Sequence, residues 1–203
     1  QGLVVHTVTV VRGTLTADTA VTAAVDPERL ETQKHHTATH LLHAALRSVL
    51  GTHVSQAGSL VAPDRLRFDF THGSALTAAE VTKIEGLVNR WIQSDLGVDW
   101  RVVGIDEARA AGAMMLFGEK YGKNVRMVSV RGAASGAASG AASGAASGSA
   151  SGAAHGADAV SIELCGGTHV TSTGRIGLLL ITTEEAVSAG VRRIEARTGA
   201  AAL

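Results

Sequence analysis

Apolar positions recur along this chain with two periods, and the change from one to the other marks out its elements. Ala38, Leu41, Leu42, Ala45, Leu46 and Val49 repeat at spacings of three and four. At 100° per residue that spacing gathers them on one helix face. Asp26 and Pro27 form the start of this helix, an acid at the cap followed by proline in the first turn, and Gly51 is its stop. A second helix opens at the capping box Thr77-Ala78-Ala79-Glu80, buries Val81, Ile84, Val88, Trp91 and Ile92, and ends at Gly97.

Elsewhere the period is two. Residues 52–62 and the stretch RLRFDF at 65–70 read as a hairpin around Pro63-Asp64, with Leu66, Phe68 and Phe70 alternating against Arg65, Arg67 and Asp69. Further strands are expected at 98–103, 125–130, 159–165, 176–182 and 191–197. A short helix capped by Asp106 runs to Ala111, and 112–122 is a loop with an apolar middle. In 159–165, Val160, Ile162 and Leu164 point to one side and Ser161, Glu163 and Cys165 to the other. The class is α/β of the α+β type: an antiparallel sheet packed with helices.

Two segments break this pattern. Residues 3–11 and 18–26 read as β-rich strands around Arg12-Gly13-Thr14. An isolated hairpin buries too little surface to stand alone, so residues 1–26 are expected to be the tail of a β-barrel from a longer parent, with 27–203 a second domain. Within that domain, 132–155 is a near-exact four-residue repeat of glycine, alanine and serine. It has no large side chains to offset ordering entropy, and each glycine costs about 1 kcal/mol against alanine in a helix. A flexible loop is expected there.

Composition narrows the function classes. With 203 residues, 45% of them hydrophobic, the chain can bury a real core. Eighteen basic residues balance eighteen acidic ones, which argues against a strongly basic, free-standing nucleic-acid binder and makes any phosphate contacts local. A single cysteine excludes an intrachain disulfide, and no apolar run approaches the roughly eighteen residues of a spanning helix. A soluble protein of a reducing, cytoplasmic compartment, with no membrane partner, is expected.

The candidate chemistry lies opposite the first apolar face, where His36, His40 and His43 form a stripe continued by Arg47. Histidines four apart stack one turn above each other, so His36 and His40 can offer two nitrogens to one ion. Cys165 and His169 repeat that separation across Gly166-Gly167, a spacer without Cβ atoms that lets the backbone fold tightly. Three nitrogens and one sulfur suit zinc, at about 2.0–2.1 Å and about 2.3 Å. The plain alternative is a solvated histidine face and a small buried cysteine. Each half-site is generic alone; together they complete a four-ligand set. His36 and His40 enclose Thr, Ala and Thr, not the general base of an HExxH helix, which argues against a zinc protease.

In order, HTATHLLHAAL, QAGSLV, RLRFDF, GEKYG, SIELCGGTHV, GRIG and AGVRRIEA resemble the editing domain of alanyl-tRNA synthetase, in the threonyl/alanyl-tRNA synthetase second additional domain superfamily. The resemblance covers most of the chain, with the first strands similar to the end of that family's preceding β-barrel and only the repeat lacking a counterpart. It implies zinc ligands at His36, His40, Cys165 and His169, and a place in the editing pocket for Gln56. His35 stands where the family usually has Asn and offers a second imidazole beside the site; His35 and His43 match no ligand position and are read as structural.

The resemblance further implies an aminoacyl-tRNA hydrolase, removing Ser or Gly wrongly joined to tRNA(Ala) in the service of translation fidelity. A pocket for alanine rejects an added hydroxyl or a missing methyl poorly, whereas a site built to bind the serine hydroxyl penalises alanine by leaving buried groups unpaired. Gln56, Thr37 and Thr39 are the candidates for that recognition. Zinc either holds a water of lowered pKa or, with its shell closed by four ligands, positions the substrate. Lys120, Lys123, Arg192 and Arg193 are candidates for phosphates of the acceptor end, the rest of the tRNA affinity coming from other domains of the parent synthetase. The site is equally expected in a free-standing editing protein, in the threonyl counterpart, or in a zinc-stabilised tRNA-binding module without catalysis. No segment is left over for an ATP site.

Overall fold

The computed structural model describes residues 5–115, 121–132 and 159–203. Its organising element is α1 (Arg29–Leu50), which is buried along two faces. Asp26 Oδ1 accepts the Glu28 N–H at 2.9 Å, so the helix opens one turn after its acid, and the Gly51 N–H closes it on the Arg47 carbonyl. The Leu41 and Leu42 face meets a four-stranded sheet of β1 (Gln56–Val61), β2 (Leu66–Thr71), β6 (Leu179–Ser188) and β7 (Val191–Thr198) in the order β1-β2-β7-β6. Every pairing is antiparallel. Phe68 pairs with Ile194, and both are fully buried, as are Leu66 and Phe70 on the same strand. Burying a side chain of this size stabilises by about 1.5–3 kcal/mol.

The second helix, α2 (Ala78–Gln93), carries its capping box as expected, with Thr77 and Glu80 exchanging bonds. It is tied to the sheet edge by side chain to backbone bonds: Asn89 receives the Leu179 N–H and donates to the Leu179 carbonyl, and Glu85 accepts the Ile181 N–H. The helix stops at Gln93, before Gly97, because Asp95 takes a left-handed φ of 45°. Gly97 instead opens β3 (Gly97–Gly104).

A separate three-stranded antiparallel sheet runs β3-β4-β5, with β4 (Asn124–Arg131) between β3 and β5 (Ala159–Leu164), and a short α3 (Ile105–Ala110) follows β3. Register divides its residues between two faces. Val98, Val128 and Val130 join the main core with Ala38, Leu41 and Leu42, whereas Val103, Val125, Met127 and Leu164 form a smaller core with Ala108 of α3. Cys165 follows β5 on the Val128 side and packs against the main core. The α+β class is therefore observed, in two sheets rather than one.

Two expectations are corrected. The strand placed at 176–182 begins only at Leu179, because Ile176 closes a 3-10 turn (Thr173–Ile176) and Gly177 reverses the chain at φ 87°. The hairpin of the first residues does not form: 5–26 contains no strand, and Val5, Val8, Val11 and Val21 are 65–95% exposed. Two candidate strands with no apolar surface packed on them gain too little burial to offset ordering. The Gly/Ala/Ser repeat, apart from Gly132, lies outside the described residues, as do residues 1–4 and 116–120. No helix among the described residues is long and apolar enough to cross a membrane.

Candidate metal centre

One stripe of α1, with residues three or four apart at Arg29, Gln33, His36, His40, His43 and Arg47, lies on the side turned to the three-stranded sheet. In mid-stripe, His36 and His40 meet Cys165 and His169, which the GGT turn after β5 folds back onto the helix. The four ligand atoms lie within 4.8 Å of one another. His36 Nε2 is 3.3 Å from Cys165 Sγ, close to the about 3.5 Å edge of a tetrahedron with bonds of about 2.0–2.3 Å. The His36 and His169 rings are 4.4 Å apart, and those of His40 and His169 5.0 Å.

Whether this set fits a metal is decided by the atoms left over. His40 Nε2 and His169 Nε2 are buried and have no hydrogen-bond partner, as is His43 Nε2 just outside the set, while the opposite nitrogen of each ring is engaged. His40 Nδ1 is 2.6 Å from Glu163 Oε2, and His169 Nδ1 is 3.2 Å from Thr37 Oγ1. Orienting one imidazole nitrogen with an oxygen and leaving the other bare is how proteins prepare histidine for a metal. Two buried, unpaired nitrogens would otherwise each cost about 1–3 kcal/mol. A Cβ built on Gly167 would fall within the His36 ring, so the second glycine of the spacer is required by the approach of loop to helix.

Protonation matches at Cys165 and His169, whereas His40 carries a proton that an ion would displace. Burial opposes ionisation of the Cys165 thiol, but the imidazoles of His169, His36 and His40 gathered around the sulfur overcome it and pull the pKa down to about 3. Burial, with the nearby charges of His40 and His36, holds His169 at about 4 against the pull of Cys165. A thiolate and a neutral imidazole are the forms that bind metal. Burial also disfavours charge on His40 and Glu163, yet their mutual attraction prevails, raising the imidazole and holding the carboxyl well below its usual range.

Glu163 and His43 belong to the centre although the motif reading assigned them no part in it. Glu163 bridges His40 and His43 and receives the Ser161 hydroxyl at 3.2 Å. The signal was the strand alternation, which puts Glu163 on the Cys165 side of β5. Arg126 on β4 donates to the carbonyls of Cys165 at 3.0 Å and Gly167 at 2.6 Å, pinning the ligand turn. Gln33 adds a bond to Thr168 Oγ1. His35 does not compete for the ion: its Nδ1 meets the Glu31 carbonyl and its Nε2 accepts the Thr198 N–H, so it latches α1 to β7.

Two cavities flank the centre along the stripe. A small one of about 160 Å³ is lined by Gln56, His43, Glu163, Met114 and Arg47. A larger one, about 440 Å³, lies towards the start of α1, among Arg29, Gln33, Trp100, Arg126 and the ligand turn. Gln56 thus reaches the neighbourhood of the centre. The Thr37 hydroxyl is engaged by His169 and the Val170 N–H, and that of Thr39 donates to the His35 carbonyl, so both serve the protein's own framework.

The candidate phosphate contacts fare worse. Arg192 is held by Glu184 at 2.5 Å, and Arg193 grips both oxygens of Asp69 at 2.7 and 2.9 Å. These are ion pairs within the four-stranded sheet, so both charges already have a partner in the protein. Lys123 is exposed, and Lys120 lies outside the described residues.

Residues 125–195 match the family model described as the threonyl and alanyl tRNA synthetase second additional domain. The whole chain is 53% identical to part of an alanine–tRNA ligase of Thermus thermophilus, covering 21% of that protein. It is 50% identical over 98% of its length to a Deinococcus radiodurans alanine–tRNA ligase, and 50% identical over its full length to one from Thermotoga maritima, in each case covering 20% of the relative. The chain thus spans about a fifth of the length of the curated relatives it matches.

Proposed function

Because the chain belongs with the alanine–tRNA ligases, as a segment carrying the threonyl and alanyl tRNA synthetase second additional domain, we propose that it hydrolyses the aminoacyl ester of mischarged tRNA(Ala), releasing Ser or Gly and sparing Ala. Water adds its oxygen to the ester carbonyl carbon, the bond to the ribose oxygen breaks, and amino acid and free tRNA leave. The observation that carries this reading is the ligand set His36, His40, Cys165 and His169, with two bare imidazole nitrogens, set beside a small cavity that contains Gln56. The donors fit zinc. When bound, that ion would supply a fixed positive charge and Lewis acidity next to the ester.

The chain's own side chains supply the selectivity. A cavity of about 160 Å³ admits a small aminoacyl group, and Gln56 can hydrogen-bond a serine hydroxyl that alanine lacks. Alanine would leave that amide unpaired, a penalty in the sense editing requires. Glu163 holds His40 and His43 in place, and the apolar side chain of Met114 limits water at the cavity wall. The setting is the cytoplasm, with the remaining domains of the parent synthetase supplying most of the grip on tRNA.

The test is a deacylation assay on the zinc-loaded chain. Ser-tRNA(Ala) and Gly-tRNA(Ala) are expected to be cleaved much faster than Ala-tRNA(Ala), and Gln56→Ala to narrow the serine preference more than it weakens tRNA binding. A chain that binds tRNA(Ala) yet leaves Ser-tRNA(Ala) as stable as buffer does would overturn the reading in favour of a non-catalytic binding module.

A further inference from the structure

The larger cavity has a wall that neither the metal nor the aminoacyl group uses. Trp100 on β3 is 60% exposed, and the Arg126 guanidinium lies 4.7 Å from its ring centre. Register places Trp100 opposite Val128 and Val128 opposite Glu163, so the indole stands on the metal side of the sheet, on a strand about 10 Å from the one that carries Glu163. The next row of the same face holds Val102, Arg126 and Cys165. One arginine therefore touches both the exposed ring and the metal-binding turn.

We propose that this cavity seats the terminal nucleoside of a single-stranded RNA end, with its base stacked on Trp100 and its phosphate drawn to Arg29. The inference rests on the tRNA-ester reading in taking the ligand to be an RNA end. Size divides the roles of the two cavities: about 440 Å³ falls in the range of sites for nucleoside-sized ligands, and about 160 Å³ is far below it. Charge agrees, since the lining includes Arg29 and Arg126 and no carboxylate. So does the chemistry of recognition, because bases of single strands are held by aromatic faces and arginine planes. The floor of Val98 and Val128 is apolar and suits the edge of a base. Because Arg126 also holds the Cys165 and Gly167 carbonyls, a base on Trp100 would be placed by the same side chain that places the metal ligands.

The experiment measures binding of a labelled twelve-nucleotide single-stranded RNA ending in CCA to the zinc-loaded chain, with Trp100→Ala and Trp100→Phe. Trp100→Ala should weaken binding at least about fivefold and Trp100→Phe less, with zinc content and melting temperature unchanged because the ring is largely exposed. Blunt duplex RNA of equal length should bind the variants and the parent chain alike. Unchanged single-strand affinity in Trp100→Ala overturns the proposal and leaves the Trp100 face to a protein partner. A Trp100-dependent affinity without ester cleavage supports the nucleoside seat while sinking the hydrolase reading, and cleavage that is indifferent to Trp100 does the reverse.

Discussion

The two buried faces of α1 are built from the same helical period and held by opposite physics. On one, Ala38, Leu41, Leu42, Ala45 and Leu46 pack against the four-stranded sheet and need only volume and shape. On the other, His36, His40 and His43 meet the three-stranded sheet through hydrogen bonds, a buried carboxylate and bare nitrogens. The first face tolerates a poor neighbour at a graded cost. The second is complete only when every polar atom has its partner, and the bare nitrogens of His40 and His169 are placed to share an ion.

That contrast can be broken from either side. The largest effect is expected in Cys165→Ala, which removes the soft ligand: zinc in elemental analysis should fall from one per chain to a small fraction, and with it the stabilisation zinc gives over the chelated protein. Full retention of zinc would mean the thiol is not a ligand. Next comes Leu42→Ala, which should lower unfolding free energy by about 2–5 kcal/mol in denaturant titrations while changing zinc affinity little. Equal losses of zinc in both variants would show that the faces are not separable.

A smaller change sharpens the polar side alone. Thr37→Val keeps the shape but removes the hydroxyl from His169, so zinc affinity should drop about 10- to 100-fold in a competitive chelator titration. The smallest effect belongs to the outer surface of the four-stranded sheet. Arg193 hydrogen-bonds Asp69 and holds its carboxyl below the ordinary range. The resulting stability is present above the unfolded value of about 3.9 and is lost as pH falls through the folded one. Asp69→Asn should therefore cost about 1–2 kcal/mol at pH 7, and progressively less below pH 4, with zinc affinity unaltered.

Periodicity made the apolar face legible because burial of hydrocarbon leaves a repeating mark. It made the histidine stripe visible but not its burial, since nothing along α1 announces that a second sheet covers it. The ligand set was readable because its two halves share one spacing and a family resemblance joined them. Glu163 and His43 were not assigned there, for their role depends on strand register across β5 rather than on neighbours in sequence. The ion pairs of Arg192 and Arg193 were hidden for the same reason: a charge's partner, here Glu184 or Asp69, is chosen by pairing across the sheet. The amino-terminal strands failed because alternation records a capacity to pair and not the presence of a partner.

The order in which the chain is synthesised gives the split ligand set a temporal meaning. His36 and Cys165 are 129 positions apart, and β7, the strand that pairs with both β2 and β6, comes later still. At roughly 5–20 residues per second, a ribosome releases the helix some 6 to 26 s before the strands that cover it. Through that interval α1 has neither its thiolate nor β7, and both of its faces are open to chaperones or to self-association. If the cluster holds zinc, its capture is then a late event in the life of a nascent chain, and a pulse of zinc supplied before Cys165 has emerged should find the four-ligand set incomplete.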